Sequence, residues 1–527
     1  MKKTYHRGTS ALCGAALLLA GAAPALAEEV TLRSADGTVD LTGEFVEFSE
    51  NAYVIRTALG ELRLSAERVR CEGAACPSFD TGRAGIVFAG SDAVGLGMMP
   101  LLLEGYAGFL DAEATISATG TPNEILVSLV GDGGFGDDMG EMVVGSTSSS
   151  DAFRTLLGAS ADIGMAARRI RPEEARALRD AGAGNMVDPA NEHIVAVDSL
   201  VVIVHPDNPV GTLTVAQLSD VYRGEIRNWS EVGGPDLPIR VIDRPSSSGT
   251  RDVFAETIFT TEADPNVAPL EVRIANDNNE VARLVNEDPA AIGFVGYAFQ
   301  RGAKPVTLVN SCGLTMTPDA FSARTEEYAL QRRLYLYNRG DEMPEEAGAF
   351  LDYALSPEAD SVIRKAGFID LGVEARRQNM DGDRARQLLD PEADPYEGAL
   401  MREMLGVMVD YERLSTTFRF RTGSSRLDER ALVDMQRLAT FLQEAPEGSD
   451  VLVVGFTDSV GSFDANRDLS VERADQVLLE LQERIGELPG VTMRSAGFGE
   501  IAPSGCNDTD RGRGINRRVE VWMQRPA

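Results

Sequence analysis

Histidine is nearly absent. Three occur in the 527-residue chain, at His6, His193 and His205. Ser/His/Asp catalysis needs a placed imidazole, and His205-Pro206 follows an apolar run where a structural role suffices, so no enzyme mechanism is expected. No metal and no cofactor are expected either. Positive charge is also short. Lys+Arg number 50 against 82 Asp+Glu, a net charge of -32. That excess of carboxylates excludes a nucleic-acid partner and disfavours attachment to an anionic membrane surface. Any anion site must work through local dipoles and a few placed arginines, against the overall field.

Long apolar runs are missing as well. The longest, Ala11 to Ala23, is shorter than the roughly 20 residues a membrane span needs. It follows Lys2, Lys3 and Arg7 and precedes Ala25-Leu26-Ala27. Residues 1–27 are therefore expected to be a secretory signal, and the mature protein an exported one. Cysteine is sparse. Beyond the signal stand Cys71, Cys76, Cys312 and Cys506. Cys71 and Cys76 are close enough for a local disulfide in an oxidising compartment. Cys312 and Cys506 either cross-link two domains or are separate buried thiols.

What remains is globular, with 43% hydrophobic and 25% charged residues. The length suggests roughly three or four domains. Residues 28–83 alternate apolar and polar positions between turns at Asp36-Gly37 and Leu59-Gly60. They are expected to form a small β module. In residues 84–370, strands alternate with helices, which predicts parallel α/β sheet. Expected strands include Ala84–Ala89, Ile125–Val130, Asp162–Met165, His193–Val197 and Leu200–Val204. A helix is expected over Leu96–Leu110. Ligands in such sheets bind at strand carboxyl ends, beside helix N-termini.

Three Ser/Gly-rich loops occupy that kind of junction: Gly90-Ser91, Gly145–Ser150 and Ser246–Thr250. The third lies in Arg244-Pro245-Ser246-Ser247-Ser248-Gly249-Thr250-Arg251, just before an amphipathic run. Free backbone N–H groups at a helix start attract an oxyanion. Gly249 lets the backbone approach it, and the Ser248 and Thr250 hydroxyls can donate to it. Arg244 adds a forked, permanent charge. Arg251 falls inside the helix and is expected to brace the site.

Residues 84–370 resemble the periplasmic phosphate-binding proteins of ABC importers. The resemblance is carried by Arg244-x-x-x-Ser248-Gly249-Thr250, Asn228-Trp229-Ser230-Glu231-Val232-Gly233-Gly234, Gly145-Ser146, Asp162-Ile163-Gly164 and Ala291-Ile292-Gly293-Phe294-Val295. It implies a two-lobed, hinged periplasmic-binding clamshell. It also implies that Ser91, Ser146, Arg244, Ser248, Gly249 and Thr250 contact the anion. One position departs. Where the family has an aspartate that accepts a proton from phosphate, this chain has Ala167, followed by Arg168 and Arg169. Without that acceptor the cleft is expected to discriminate poorly between phosphate and sulfate, and Arg168 is expected to add charge to the site.

Residues 371–410 are expected to be a linker, with a helix near Glu397–Met408. Residues 411–527 resemble the OmpA-like peptidoglycan-binding domain. The matching blocks are Thr457-Asp458-Ser459-Val460-Gly461, Asn466-x-x-Leu469-Ser470-x-x-Arg473, Gly497-Phe498-Gly499 and Asn516-Arg517-Arg518. An α+β fold is implied, with a helix opening at Ser424-Ser425. The diaminopimelate of a peptide stem ends in an amine and a carboxylate. Asp458 is expected to pair with the first and Arg473 with the second, while Asn466 and Leu469 shape the loop. Arg517 and Arg518 are expected to brace the last strand and helix.

The expectation is thus a multidomain periplasmic protein tied to the cell wall, and so to the outer-membrane side of a Gram-negative envelope. Its partners would be phosphate or another oxyanion, peptidoglycan, and an importer permease or envelope sensor. The alternative is a structural envelope linker whose clamshell binds a protein partner and no small ligand.

Overall fold

The computed structural model describes residues 29–526, apart from 35–36, 50–51, 67, 78–84, 132–137, 260–270, 342, 390–394, 421–428 and 487. The expected signal and the helix start at Ser424-Ser425 lie outside the described residues. The chain divides into two compact units. The N-terminal one is an antiparallel sheet in the order Gly60–Ser65, Ala52–Thr57, Asp40–Ser49, Glu29–Arg33, Arg70–Glu72. Its period-2 alternation buries Val30, Leu32, Tyr53 and Ile55 together with Val69. A Cys71–Cys76 disulfide follows, with Cα atoms 5.7 Å apart.

In the second unit one 11-stranded sheet runs through a two-lobed α/β body. The strand Glu192–Val204 joins the lobes. Its first half, to Ser199, pairs with Gln331–Asn338, and its second half pairs with Ala291–Gly296. The first lobe adds Ile163–Ala166, Ile86–Ser91, Asp138–Thr147, Glu124–Gly131 and Ala112–Ala118. The second adds Arg240–Asp243 and Val272–Ile274. The second lobe packs around Trp229, Phe254 and Phe294, with the two phenylalanine rings stacked at 4.0 Å. Burying each such side chain contributes about 1.5–3 kcal/mol. The Asn228–Gly234 motif belongs to this core: Trp229 is fully buried and donates to Ala290 O at 3.0 Å.

Two expectations need correction. The separate strands at 193–197 and 200–204 are one 13-residue strand. Asp198 and Ser199 suggested a break, but both are buried inside the sheet, where Asp198 is paired with Arg332 at 2.6 Å. Residues 371–410 are not a tether. Ala375–Arg376 joins the C-terminal sheet, whose order continues Glu412–Arg419, Arg518–Gln524, Asp450–Phe456, Thr492–Gly497. Val451 and Val453 face the helices Glu429–Gln443 and Phe463–Ile485. Leu452 and Val454 face the other way, against Leu388, Leu400, Met404 and Met408 of the helices Asp383–Leu388 and Pro395–Asp410. The apolar face of that expected linker helix is one layer of the domain core.

The C-terminal domain is docked on the clamshell. A Cys312–Cys506 disulfide joins them. Arg419 donates to Thr325 O at 2.7 Å, and Arg437 pairs with Asp360 at 2.7 Å. Beneath lies a buried charge cluster in which Arg413 reaches Glu327 at 2.9 Å and Glu520 at 3.3 Å. Arg384 and Arg518 reach Glu520 at 3.0 and 2.7 Å. Burial alone would raise both carboxyls. The arginines outweigh it, holding Glu327 down at about 2 and Glu520 well below its ordinary value. Among the described residues no helix is long and apolar enough to cross a membrane.

Candidate functional sites

Two helices start at the cleft between the lobes. Ser149–Leu157 begins after Ser148, whose hydroxyl caps it by accepting from Asp151 N at 3.2 Å. Gly249–Ile258 begins after Ser248, whose hydroxyl accepts from Arg251 N. The two N-termini meet. A methyl on Gly249 would collide with Ser149 Oγ and crowd Ser149 Cβ at 2.9 Å, with Arg168 Cγ next at 3.4 Å. Only glycine permits this approach, which brings the positive ends of two helix dipoles together.

Arg244 lies five residues before Gly249 and is fully buried at 1% exposure. Its Nη2 donates to Asp92 Oδ1 at 3.1 Å and to Asn276 O at 3.0 Å. Its Nε and Nη1 are buried with no partner among the described residues. A buried cation with two unmet donors is costly unless an acceptor arrives. Ser91 and Ser146 are also buried, at the ends of adjacent parallel strands. Of the sequence-predicted residues, Ser91 and Ser146 thus lie at two adjacent strand ends, Arg244 just after the strand Arg240–Asp243, and Ser248, Gly249 and Thr250 at the helix start. Arg251 is turned away onto Asp243 at 3.0 Å.

Arg168 is placed otherwise than expected. Its guanidinium reaches Glu174 at 2.7 Å, Asp252 at 2.9 Å and Ser150 Oγ at 3.2 Å. Asp252 also takes Arg171 at 2.6 Å. Because Asp252 belongs to the second lobe, Arg168 clasps the lobes together; its charge is already matched by carboxylates and is not spare for an anion.

Sequence reasoning passed over three residues of the site. Asp92, next to the Gly90-Ser91 loop, crosses the cleft and accepts from Arg244 and from Asn278 N and Nδ2, the last two at 3.2 and 2.8 Å. Ser149 accepts from the backbone N–H of Ala167 at 3.0 Å. Arg332 donates to the Thr250 hydroxyl at 2.7 Å. Asp92 was visible beside Ser91, and Ser149 within the Ser-rich loop. Arg332 carried no local signal, because it lies 82 residues from Thr250.

The second site is on the C-terminal domain. Asp458 follows the strand Asp450–Phe456, and the helix Phe463–Ile485 carries Asn466, Leu469 and Arg473 on one face at i, i+3 and i+7. Gly455 and Gly497 let that helix sit against the sheet, since a methyl at either would strike Ser470. Asn466 is buried and donates to Asp458 O at 3.2 Å, while Leu469 is half-buried. Arg473 is 2% exposed, and its Nε and Nη1 find no partner among the described residues. Burial, with Arg517 nearby, lowers its guanidinium from the ordinary value. Arg517, expected as a brace, reaches Asp458 at 2.6 Å. Arg518 is a buried brace on Glu520. A carboxylate beside two arginines suits a ligand that carries both charges.

Residues 107–358 match the model of the PBP superfamily domain, and residues 419–517 that of the OmpA family. The phosphate-binding protein PstS of Bacillus subtilis is 31% identical over 179 residues, which are 34% of this chain and 57% of that protein. Outer membrane porin F of Pseudomonas aeruginosa is 32% identical over 143 residues, 27% of this chain and 37% of that one. The chain thus spans little more than half of the first relative's length and about a third of the second's. An ABC-type phosphate transport receptor from Vibrio cholerae has 25% sequence identity, covering 54% of this chain and 99% of its own, at a TM-score of 0.39.

Proposed function

We propose that this chain, which joins a PBP superfamily domain to an OmpA family domain, is a periplasmic binding protein that takes phosphate or a related oxyanion in its cleft and holds itself to peptidoglycan. The observation that carries the reading is Arg244, a buried guanidinium with two unmet N–H donors in the loop that leads to a helix N-terminus. The relatives of the clamshell are named as phosphate-binding proteins. The wall reading rests on Arg473, with its two unmet donors, and on Asp458. Asp458 would exchange Arg517 for the ligand ammonium, and both arginines would then face the ligand carboxylate. Such a protein binds and presents its ligand, and an importer permease or an envelope sensor would receive it.

One observation favours the second reading, an envelope linker without a small ligand. Asp92 already satisfies one arm of Arg244 and ties the lobes together. Calorimetry separates the two. The first reading predicts saturable phosphate binding at one site per chain, lost in Arg244→Ala, and sacculus co-sedimentation lost in Asp458→Ala. A cleft that binds no oxyanion, in a chain that still pellets with sacculi, supports the linker.

A further inference from the structure

The cleft hydroxyls are polarised by groups behind them. Thr250 Oγ1 is 1% exposed as a residue and accepts from Arg332 Nη1 at 2.7 Å. Arg332 is itself buried and fixed, since its Nε and Nη2 both reach Asp198 Oδ2, at 2.9 and 2.6 Å. Asp198 is held in turn at Oδ1 by the N–H groups of Ser199 and Tyr297, each at 2.9 Å. A hydroxyl has one proton and two lone pairs. An arginine cannot accept, so Thr250 must accept from it, and the threonine proton is left to point elsewhere. Ser149 is set the same way. It is fully buried, and its oxygen accepts from Ala167 N–H at 3.0 Å.

Resting on the oxyanion reading above, we propose that Arg332 is a positioning residue. It commits the Thr250 hydroxyl to donate to the bound anion, as Ala167 N–H commits Ser149. The ligand then meets the unmet N–H groups of Arg244, two helix starts and two hydroxyls oriented as donors. Of the carboxylates there, Asp92 already accepts at both oxygens, and Asp252 is taken by Arg168 and Arg171. A site built from donors selects oxygens that only accept. Its ligand class is the tetrahedral oxyanion that presents unprotonated oxygens, with sulfate admitted beside phosphate.

The test is a double-mutant cycle read by calorimetry on the full mature chain, with sulfate and phosphate as probes. Thr250→Val keeps the shape and should weaken both anions about tenfold, the worth of one hydrogen bond to a charged group. Thr250→Ser should bind like the wild type. Arg332→Lys keeps a cation for Asp198, yet one ammonium cannot reproduce the three bonds, so affinity should fall several-fold. In the Thr250→Val background, Arg332→Lys should cost nothing further. Equal losses from Arg332→Lys in both backgrounds overturn the positioning role. Phosphate binding with sulfate rejected by more than about a hundredfold overturns the ligand class. Failure of the wild type to bind either anion strikes the oxyanion reading itself.

Discussion

Gly249 shows how one side chain, or its lack, sets the cleft. Its Cα faces Ser149 Oγ and Cβ across the lobes, with Cβ at 2.9 Å from where a methyl would stand. Gly249→Ala must push the two helix N-termini apart, a strain of about 1–3 kcal/mol. The expected outcome is weaker phosphate binding, with the gain in melting temperature on adding phosphate reduced or lost. An unchanged thermal shift would remove the close approach from the account. At this scale the sequence was most readable where chemistry is local. Ser248, Gly249 and Thr250 announce a helix start within one loop, and Asp458 and Arg473 lie one strand–helix return apart. Arg332 and Asp198 were illegible, because they are 134 residues apart and each alone reads as a surface charge. Arg168 misled for a related reason: a guanidinium next to an expected acceptor position says nothing about Glu174 and Asp252, which take its charge.

Among elements, the strand Glu192–Val204 and the cross-link Cys312–Cys506 were the least legible. The first read as two strands because a buried ion pair looks polar in sequence. The second could not be decided, since cysteine spacing does not fix which cysteines meet. In the structure the cross-link closes a span of 194 residues between the second lobe and the C-terminal domain. Replacing both cysteines with serine should lower stability by about 2–4 kcal/mol. The predicted observation is a lower melting temperature in the variant than in the oxidised wild type, and equal values for the two under reductant, which opens Cys71–Cys76 in both. A variant that melts with the oxidised wild type would mean that the docking surface holds without the bond. The expected linker was misread for a simpler reason: Pro391 and Pro395 do mark breaks, but Leu400, Met404 and Met408 then bury against the sheet.

At the scale of the whole molecule, clamshell and C-terminal domain are joined through charge as well as sulfur. Glu327 belongs to the clamshell, and Glu520, Arg413 and Arg518 to the C-terminal domain. Both carboxyls have folded values below their unfolded ones. Their stabilisation is therefore fully present above about pH 4.5 and is lost as pH falls toward about 2 for Glu327, and lower for Glu520. Melting temperature should hold between pH 7 and about 5 and then decline steeply, and Glu327→Gln should flatten part of that decline. A flat profile to about pH 3 would contradict the buried cluster.

The central claim is that one chain carries an oxyanion to the cell wall. Radiolabelled phosphate sedimented with purified sacculi tests it most directly. With the wild-type protein, phosphate should pellet in proportion to bound protein. With Arg244→Ala the protein should still pellet and the label should not. With Asp458→Ala both should stay in the supernatant. Wild-type protein that pellets while all the phosphate stays in solution would contradict the account.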